Sequence, residues 1–355
     1  MVRTAMVSSI DVLVVGGAGV DHIVRVKRLP LPVVDSMIVP PILTFVGHSG
    51  NGVALGCHRL GHPTVFVDVI GDDPEGRMIL ERYAEIGLDF RAVHHPSGTR
   101  RSVNLVTPDG QRMSLYDPRH PFDMQPDASL WLEPMAQARH VHVSIMNWGR
   151  HALRDAVAEG LSTSVDLHDW DGENDYHRDF AYGADLVFVS ATAFIHEVGQ
   201  IIEDILKKGR ASAVIVLEGS RGSRLAVRGE GIRDIEPVTL ADLPAIDCNG
   251  AGDSYVAAFL HTVLSRGSYH RAAMAGSVAG AYACATLGTH TNLIDEPTLV
   301  RLLGEQTITE QPPRCRGQAP GALNVPPPPA ARGLPGAGGG PAALEAGRLL
   351  ADRGG

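Results

Sequence analysis

Lysine is almost absent from this chain. Of 31 basic residues only Lys27, Lys207 and Lys208 are lysine. None follows a G-x-x-x-x-G, so a Walker-type phosphate loop, which needs that lysine on the terminal phosphates, is excluded. Cysteine is equally sparse. Cys57, Cys248, Cys284 and Cys315 form no C-x-x-C pair. That spacing argues against a disulfide framework or a cysteine zinc site and fits a reducing cytoplasm. No apolar run approaches the roughly 18–20 residues that a membrane-spanning helix needs. The opening MVRTAMVSS lacks the apolar stretch and cleavage site of a signal peptide. A net charge of −9 leaves little basic surface for neutralising phosphates, so nucleic acid is not an expected partner.

The 355 residues are 44% apolar, enough for a full core. Residues 312–355 stand apart, with 9 Pro, 10 Gly and 9 Ala. Such a stretch buries too little apolar surface to offset its ordering entropy, and a disordered tail is expected there. The folded body is expected over residues 8–308. Within it, short β-branched runs alternate with helical patterns. DVLVV (11–15), TVFVDV (64–69), DLVFV (185–189) and AVIVL (213–217) read as buried strands. Residues 53–60, 76–86, 194–208, 251–265 and 271–286 read as helices. This alternation predicts an α/β fold with a mostly parallel sheet covered on both faces. Segments 22–46 and 99–118 do not fit that plan. Pro108-Asp109-Gly110 there is a hairpin signal, and the two segments are expected to form a small β appendage.

The run Asp247-Cys248-Asn249-Gly250-Ala251-Gly252-Asp253 precedes an amphipathic helix. Three small residues allow a tight turn, and N–H groups at a helix start favour an anion. An aspartate in that first turn stands beside the anion. Phosphoryl transfer to an alcohol requires this arrangement: Asp253 takes the hydroxyl proton while Gly250, Ala251 and Gly252 stabilise phosphoryl charge. A plain tight turn with Asp253 complementing the dipole is the alternative. His140 and His142 alternate on one strand, and His168 follows another between Asp166 and Asp169. A transition-metal site, ordinary buried or edge histidines and substrate hydrogen bonding all remain open for them. Trp148 and Trp170 suit either stacking on a ligand ring or packing. Gly17-Ala18-Gly19 lacks the third glycine of a dinucleotide fingerprint, and His196-Glu197 does not complete H-E-x-x-H.

The DCNGAGDSYVAAFL segment closely resembles the C-terminal signature of the ribokinase-like (PfkB) carbohydrate and nucleoside kinases, with Cys248 as a mild departure. The resemblance extends over about residues 10–300. It implies a three-layer α/β/α core with a small β lid from about 22–46 and 99–118, ATP as phosphoryl donor, and Asp253 as catalytic base. GGAGVDHIVRVKRLP is similar to the family's first strand, implying that Asp21 binds substrate hydroxyls, although Asp21 also suits a turn. FVGHSGNGVALGCHRLG resembles the family's substrate-binding turn and implies His48 and Asn51 as sugar contacts. Asn51 is one residue off the usual spacing, with Gly52 in its place. GDDPEG (71–76) matches a common stretch that serves as a turn and helix start. On the nucleotide side the resemblance implies Gly219, Gly222 and Asn249, and a monovalent cation or phosphate near Asp247.

The family's N-x-x-E is replaced by Ser190-Ala191-Thr192-Ala193, so no metal ligands are assigned from it. Mg²⁺ is still expected with ATP, whose phosphate charge needs a counter-ion. RLPLP (28–32), ARHVHVS (138–144) and DLHDWDG (166–172) resemble a narrower actinobacterial branch that acts on acarbose-like pseudo-oligosaccharides. The expected substrate is therefore a sugar or pseudo-oligosaccharide. A nucleoside kinase of the same fold and a non-catalytic sugar- or nucleotide-binding protein are the alternatives. A homodimer through the lid is a further expectation drawn from the family.

Overall fold

The computed structural model describes residues 9–108, 110–191 and 198–306. The chain divides into a unit spanning 1–316 and a second spanning 317–355. The expected tail, Asp109 of the hairpin turn, Thr192 and Ala193 of the replaced motif, and the start of the helix expected from 194 lie outside the described residues.

The elements follow in chain order. The first third holds β1 (Ile10–Val15), β2 (Gly19–Arg25), β3 (Leu43–Gly47), α1 (Ser49–Arg59), β4 (Thr64–Ile70), α2 (Pro74–Ile86) and β5 (Asp89–His94). Then come β6 (Arg101–Val106), β7 (Arg112–Asp117), α3 (Ser129–Met135), β8 (Ala138–Ser144), α4 (Gly149–Ala158) and β9 (Ser162–Asp166). The last part holds α5 (Arg178–Gly183), β10 (Leu186–Ser190), α6 (Val198–Lys208), β11 (Ala213–Leu217), β12 (Ser223–Val227), β13 (Gly231–Ile235), α7 (Ala251–Leu264), α8 (Tyr269–Ala283) and α9 (Glu296–Glu305).

Nine strands form the large sheet in the order β13-β12-β11-β10-β9-β8-β1-β4-β5. All its pairings are parallel except the two that add β12 and β13 at one edge. Side chains alternate across a strand, and the three layers follow from that period. Val12, Val14, Phe66, Phe188 and Ile215 turn to one face and pack with residues of α1, α7, α8 and α9. Leu13, Val15, Val65, Val67, Val187 and Val189 turn to the other, against residues of α3, α4, α5 and α6. Burial on both faces explains why these strands read as continuous apolar runs. The edge hairpin β12–β13, the strand β5 and the helices α3 and α9 are not among the sequence-based expectations. β5, β13 and α3 are half-exposed segments that mix polar and apolar residues, while β12 is short and α9 buries only Leu299, Leu302 and Leu303.

The chain runs β1→β4→β5 in one direction and β8→β9→β10→β11 in the other, so the sheet reverses between β1 and β8. Ligands bind beyond the strand ends at such a reversal. There Ser144 Oγ donates to Gly16 O at 2.9 Å, and the N–H of Asn51 in α1 donates to Gly17 O at 3.0 Å. The first turn of α1 is thereby held over the crevice. α1 begins at Ser49, earlier than the expected 53, because its first turn is anchored through these glycines rather than by its own apolar face.

Four strands form the small sheet in the order β3-β2-β6-β7. Its first strand starts at Gly19, three residues before the expected boundary at 22, while no strand occupies 26–42. Asp73 joins this sheet to the body. It caps α2 by accepting from Gly76 N at 2.8 Å, and it accepts from Thr99 N at 2.7 Å and Thr99 Oγ1 at 2.6 Å just before β6. The GDDPEG turn thus holds a helix start and a sheet boundary at once.

Candidate active site

The turn before α7 is closed by Asp247. Its Oδ1 accepts from Asn249 N at 3.0 Å and Asn249 Nδ2 at 2.8 Å, and its Oδ2 from Gly288 N at 3.0 Å. These bonds tie the loop to the segment after α8. Gly250 is the N-cap, with φ 78° in the left-handed region that glycine adopts without strain. Ala251 N–H donates to Cys248 O at 3.3 Å, whereas among the described residues the N–H groups of Gly252 and Asp253 have no acceptor, and the helix dipole adds to their positive character. A Cβ placed on Gly252 would meet nothing nearer than Leu217 Cδ1 at 3.7 Å, so the space before these donors is open. Gly250, Ala251 and Gly252 therefore form a cradle fit for a phosphoryl group, with Asp253 in the same turn.

Asp253 is held from behind. Its Oδ2 lies 2.7 Å from His290 Nε2, and among the described residues no hydrogen bond reaches its Oδ1. The other ring nitrogen of His290 lies 2.7 Å from Asn51 Nδ2. Asn51 is fully buried. Its Nδ2 also donates to Val46 O at 3.3 Å, and its Oδ1 accepts from Tyr83 Oη at 2.8 Å. Asn51, expected as a sugar contact, is thus placed with every polar group engaged by protein. Gly52 explains the one-residue offset: a Cβ there would lie 2.3 Å from His290 Nε2 and 2.4 Å from Asp253 Cβ. The position must be glycine for the histidine and the aspartate to approach α1.

The small sheet supplies the opposite wall. Asp21 of β2 is in register with Phe45 of β3 and Ser102 of β6, and Ser102 with Tyr116 of β7. These four side chains form one row on one face. Ser102 Oγ donates to Asp21 Oδ1 at 2.6 Å. His48 Nε2 lies 3.4 Å from the same oxygen and 3.2 Å from Ser102 Oγ. Burial holds the His48 imidazole below its ordinary range, against the pull of Asp21, so the ring is neutral at neutral pH. On the same face Arg112 Nη1 donates to Asn249 Oδ1 at 3.2 Å, spanning from β7 to the loop before α7.

Gly219 opens the short turn Gly219–Arg221 after β11, two residues beyond Leu217, whose side chain lies nearest to Gly252. Gly222 closes that turn. Its φ is 90°, its carbonyl accepts from Glu218 N at 2.9 Å, and a Cβ there would strike Ile235 O. Asp166, at the end of β9, is pushed above the usual carboxylate range by burial, opposed by His168 and reinforced by Asp253. His140 and His142 face serines: His140 bridges Ser162 Oγ at 2.9 Å and Ser164 Oγ at 2.7 Å, and His142 reaches Ser164 Oγ at 2.8 Å. Trp148 and Trp170 are both buried in the core. For His140, His142, Trp148 and Trp170 the geometry favours packing and internal hydrogen bonds, with His142 Nε2 and Trp148 Nε1 left without a partner among the described residues. His168 is exposed, and its readings stay open.

Cys248 and Cys284, 36 positions apart and scattered in sequence, meet with their sulfurs 3.0 Å apart. The Cys284 thiol donates to Cys248 and brings its pKa down to about 7, whereas burial pushes Cys57 up to about 12. The thiolate is the nucleophile. Iodoacetamide at pH 7.5 is therefore expected to modify Cys248 well before Cys57, with ATP slowing the reaction because Cys248 borders the cradle. Peptide mass mapping against time checks this, and faster labelling of Cys57 would contradict it.

Sequence comparison agrees with this geometry. A profile described as pfkB family carbohydrate kinase matches residues 9–296. The chain is 41% identical over 292 residues to the acarbose 7(IV)-phosphotransferase of Actinoplanes sp. (strain ATCC 31044 / CBS 674.73 / SE50/110), covering 82% of this chain and 97% of that one. It is 62% identical to a microbiome-derived acarbose kinase, Mak1, whose solved structure superposes with a TM-score of 0.78 over 83% of this chain and 99% of the other. A ribokinase structure from Giardia lamblia shares the fold at 18% identity, with a TM-score of 0.72 over 84% of this chain and 99% of the other.

Proposed function

Because this chain belongs to the pfkB family of carbohydrate kinases, ATP-using phosphotransferases with an alcohol group as acceptor, we propose that it phosphorylates a hydroxyl of an acarbose-like pseudo-oligosaccharide. The two relatives named for acarbose support that substrate class. The observation that carries the chemistry is Asp253 Oδ1, left without a hydrogen-bond partner among the described residues, in the first turn of α7 beside the open face of Gly252.

In this reading Asp21 and the neutral His48 hold sugar hydroxyls against the lid face. A carboxylate accepts two such bonds, and a neutral imidazole supplies one donor or acceptor. Asp253 Oδ1 takes the proton of the acceptor hydroxyl as that oxygen attacks the γ-phosphorus. The bond to the bridging oxygen of ADP breaks in line, and the N–H groups of Gly250–Gly252 carry the charge on the transferring group. Asn249 and Gly219 border the nucleotide side, and Gly222 shapes its turn. Closure of the small sheet over the sugar excludes water, the competing acceptor.

Magnesium is proposed to enter with the phosphates of ATP. Ser190 and Ala191 offer no carboxylate, and among the described residues no group of three or more His, Cys, Asp or Glu side chains is placed to hold a metal. Among the described residues no helix is long and apolar enough to cross a membrane. Val33, Ile38, Met113 and Leu115 are exposed on the small-sheet segment and support a second copy of the chain as its partner there. Sedimentation equilibrium giving a single-chain mass would count against that pairing.

The substrate test is ADP release with ATP and Mg²⁺ across acarbose, maltose, simple hexoses, ribose and nucleosides, with Asp253→Asn as the blank. Turnover is expected on acarbose above all others. Turnover confined to nucleosides or a simple sugar would overturn the substrate assignment.

A further inference from the structure

His290 lies outside every sequence motif, yet four observations converge on it. Its ring is almost wholly buried, at 7% exposure for the residue and 1% for the side chain. Its backbone has φ 55°, a left-handed conformation that disfavours a side-chain-bearing residue and persists only where the surroundings impose it. Two glycines make room for the ring: a Cβ on Gly52 would stand 2.3 Å from Nε2, and one on Gly250 would stand 2.4 Å from Cδ2. Finally, its two nitrogens are fixed from opposite sides.

The hydrogen-bond directions decide which nitrogen carries the proton. Burial drives the Tyr83 phenol well above its ordinary range, so Tyr83 Oη keeps its hydrogen and donates to Asn51 Oδ1. That orients the Asn51 amide, whose Nδ2 donates to Val46 O and to His290 Nδ1. Nδ1 is then an acceptor, and the ring proton sits on Nε2, which donates to Asp253 Oδ2 at 2.7 Å. The geometry points to His290 as the positioning residue for Asp253, set in one tautomer by a Tyr83–Asn51 relay across three elements. The Nε2–H bond fixes one carboxylate oxygen and turns the other toward the acceptor hydroxyl. This role rests on the kinase reading given above.

The test pairs two variants. His290→Leu removes the donor while filling the space. His290→Gln keeps an N–H toward Asp253 and a carbonyl toward Asn51. With acarbose and ATP, His290→Leu is expected to lower kcat by roughly 10²-fold, the loss that misplacing a catalytic group by about 1 Å brings, with both KM values changed less than about threefold. His290→Gln is expected to recover about tenfold of that loss. A His290→Leu enzyme within about twofold of wild type, or a His290→Gln enzyme as impaired as His290→Leu, would overturn the assignment.

A second readout is independent of turnover. In ¹⁵N-imidazole spectra, assigned by loss in His290→Gln, the ring should be the neutral Nε2–H tautomer, and its Nε2–H resonance should move in Asp253→Asn. A proton on Nδ1, or a resonance indifferent to Asp253→Asn, would sink the relay whether or not any sugar is turned over. Absence of wild-type turnover with the expected spectrum would instead count against the kinase reading alone.

Discussion

Asp253→Asn is expected to lower kcat by about 10²–10⁴-fold, or roughly 3–5 kcal/mol in the transition state, while the KM for ATP stays nearly constant. The substitution is isosteric. The carboxamide oxygen it introduces can still accept from His290 Nε2, so the side chain keeps the orientation that the 2.7 Å bond imposes on the carboxylate. What it loses is the basic oxygen proposed to receive the hydroxyl proton. The groups proposed to hold the phosphates are backbone N–H donors of Gly250–Gly252, which a side-chain change leaves in place. The split between kcat and KM therefore carries the diagnosis. Initial rates of ADP release at saturating sugar would check it. Turnover within a few-fold of wild type would remove Asp253 from the base role.

The second large effect is on stability. Arg100 and Asp68 form an ion pair with side-chain exposures of 2% and 0%. Asp68 also accepts from Ala18 N at 2.6 Å and Val69 N at 2.7 Å, and Arg100 Nε donates to Ala18 O at 3.2 Å. Burial alone would lower the Arg100 pKa, but the Asp68 carboxylate against it outweighs that and holds the guanidinium charged. The pair stands where the chain passes from the large sheet to the small one, at residues 18 and 100. Arg100→Met leaves a buried carboxylate without its counter-charge. The expected loss is about 3–5 kcal/mol, a large share of the ~5–15 kcal/mol that a folded domain has.

Urea unfolding would show this as a lower midpoint with an unchanged slope, and the melting temperature should fall by on the order of 10 °C. The double variant Arg100→Met, Asp68→Leu should regain part of the loss, because removing both charges costs less than stranding one. A single variant within about 1 kcal/mol of wild type would show that the pair does not hold the two sheets together.

The legible and illegible parts of this molecule divide by sequence separation. DCNGAGD could be interpreted directly because the turn, the cradle and Asp253 lie within seven consecutive residues, and helix geometry places them together. β1, β4, β10 and β11 were legible because strands buried on both faces must be apolar throughout. The wall proposed to face the substrate is legible only in part. Asp21 and His48 stand out in Gly-rich sequence, but Ser102, which bonds Asp21 from 81 positions away, carries no local mark. Asn51 stands out by its spacing, but its amide is engaged within the protein by Tyr83, Val46 and His290.

Composition, hydrophobic period and one contiguous motif determined the layers, the parallel core and the residue proposed to take the proton. These are encoded at short range, where a few φ/ψ preferences and a two- or 3.6-residue period suffice. Only the folded chain decided that Cys248 meets Cys284, that Gly52 is glycine to admit an imidazole, and that His290 reaches Asn51 across 239 positions. Those contacts arise when packing brings the start of α1 and the segment after α8 to the same strand-end crevice. Nothing in the spacing of the residues encodes a distance set by the packing of the layers between them.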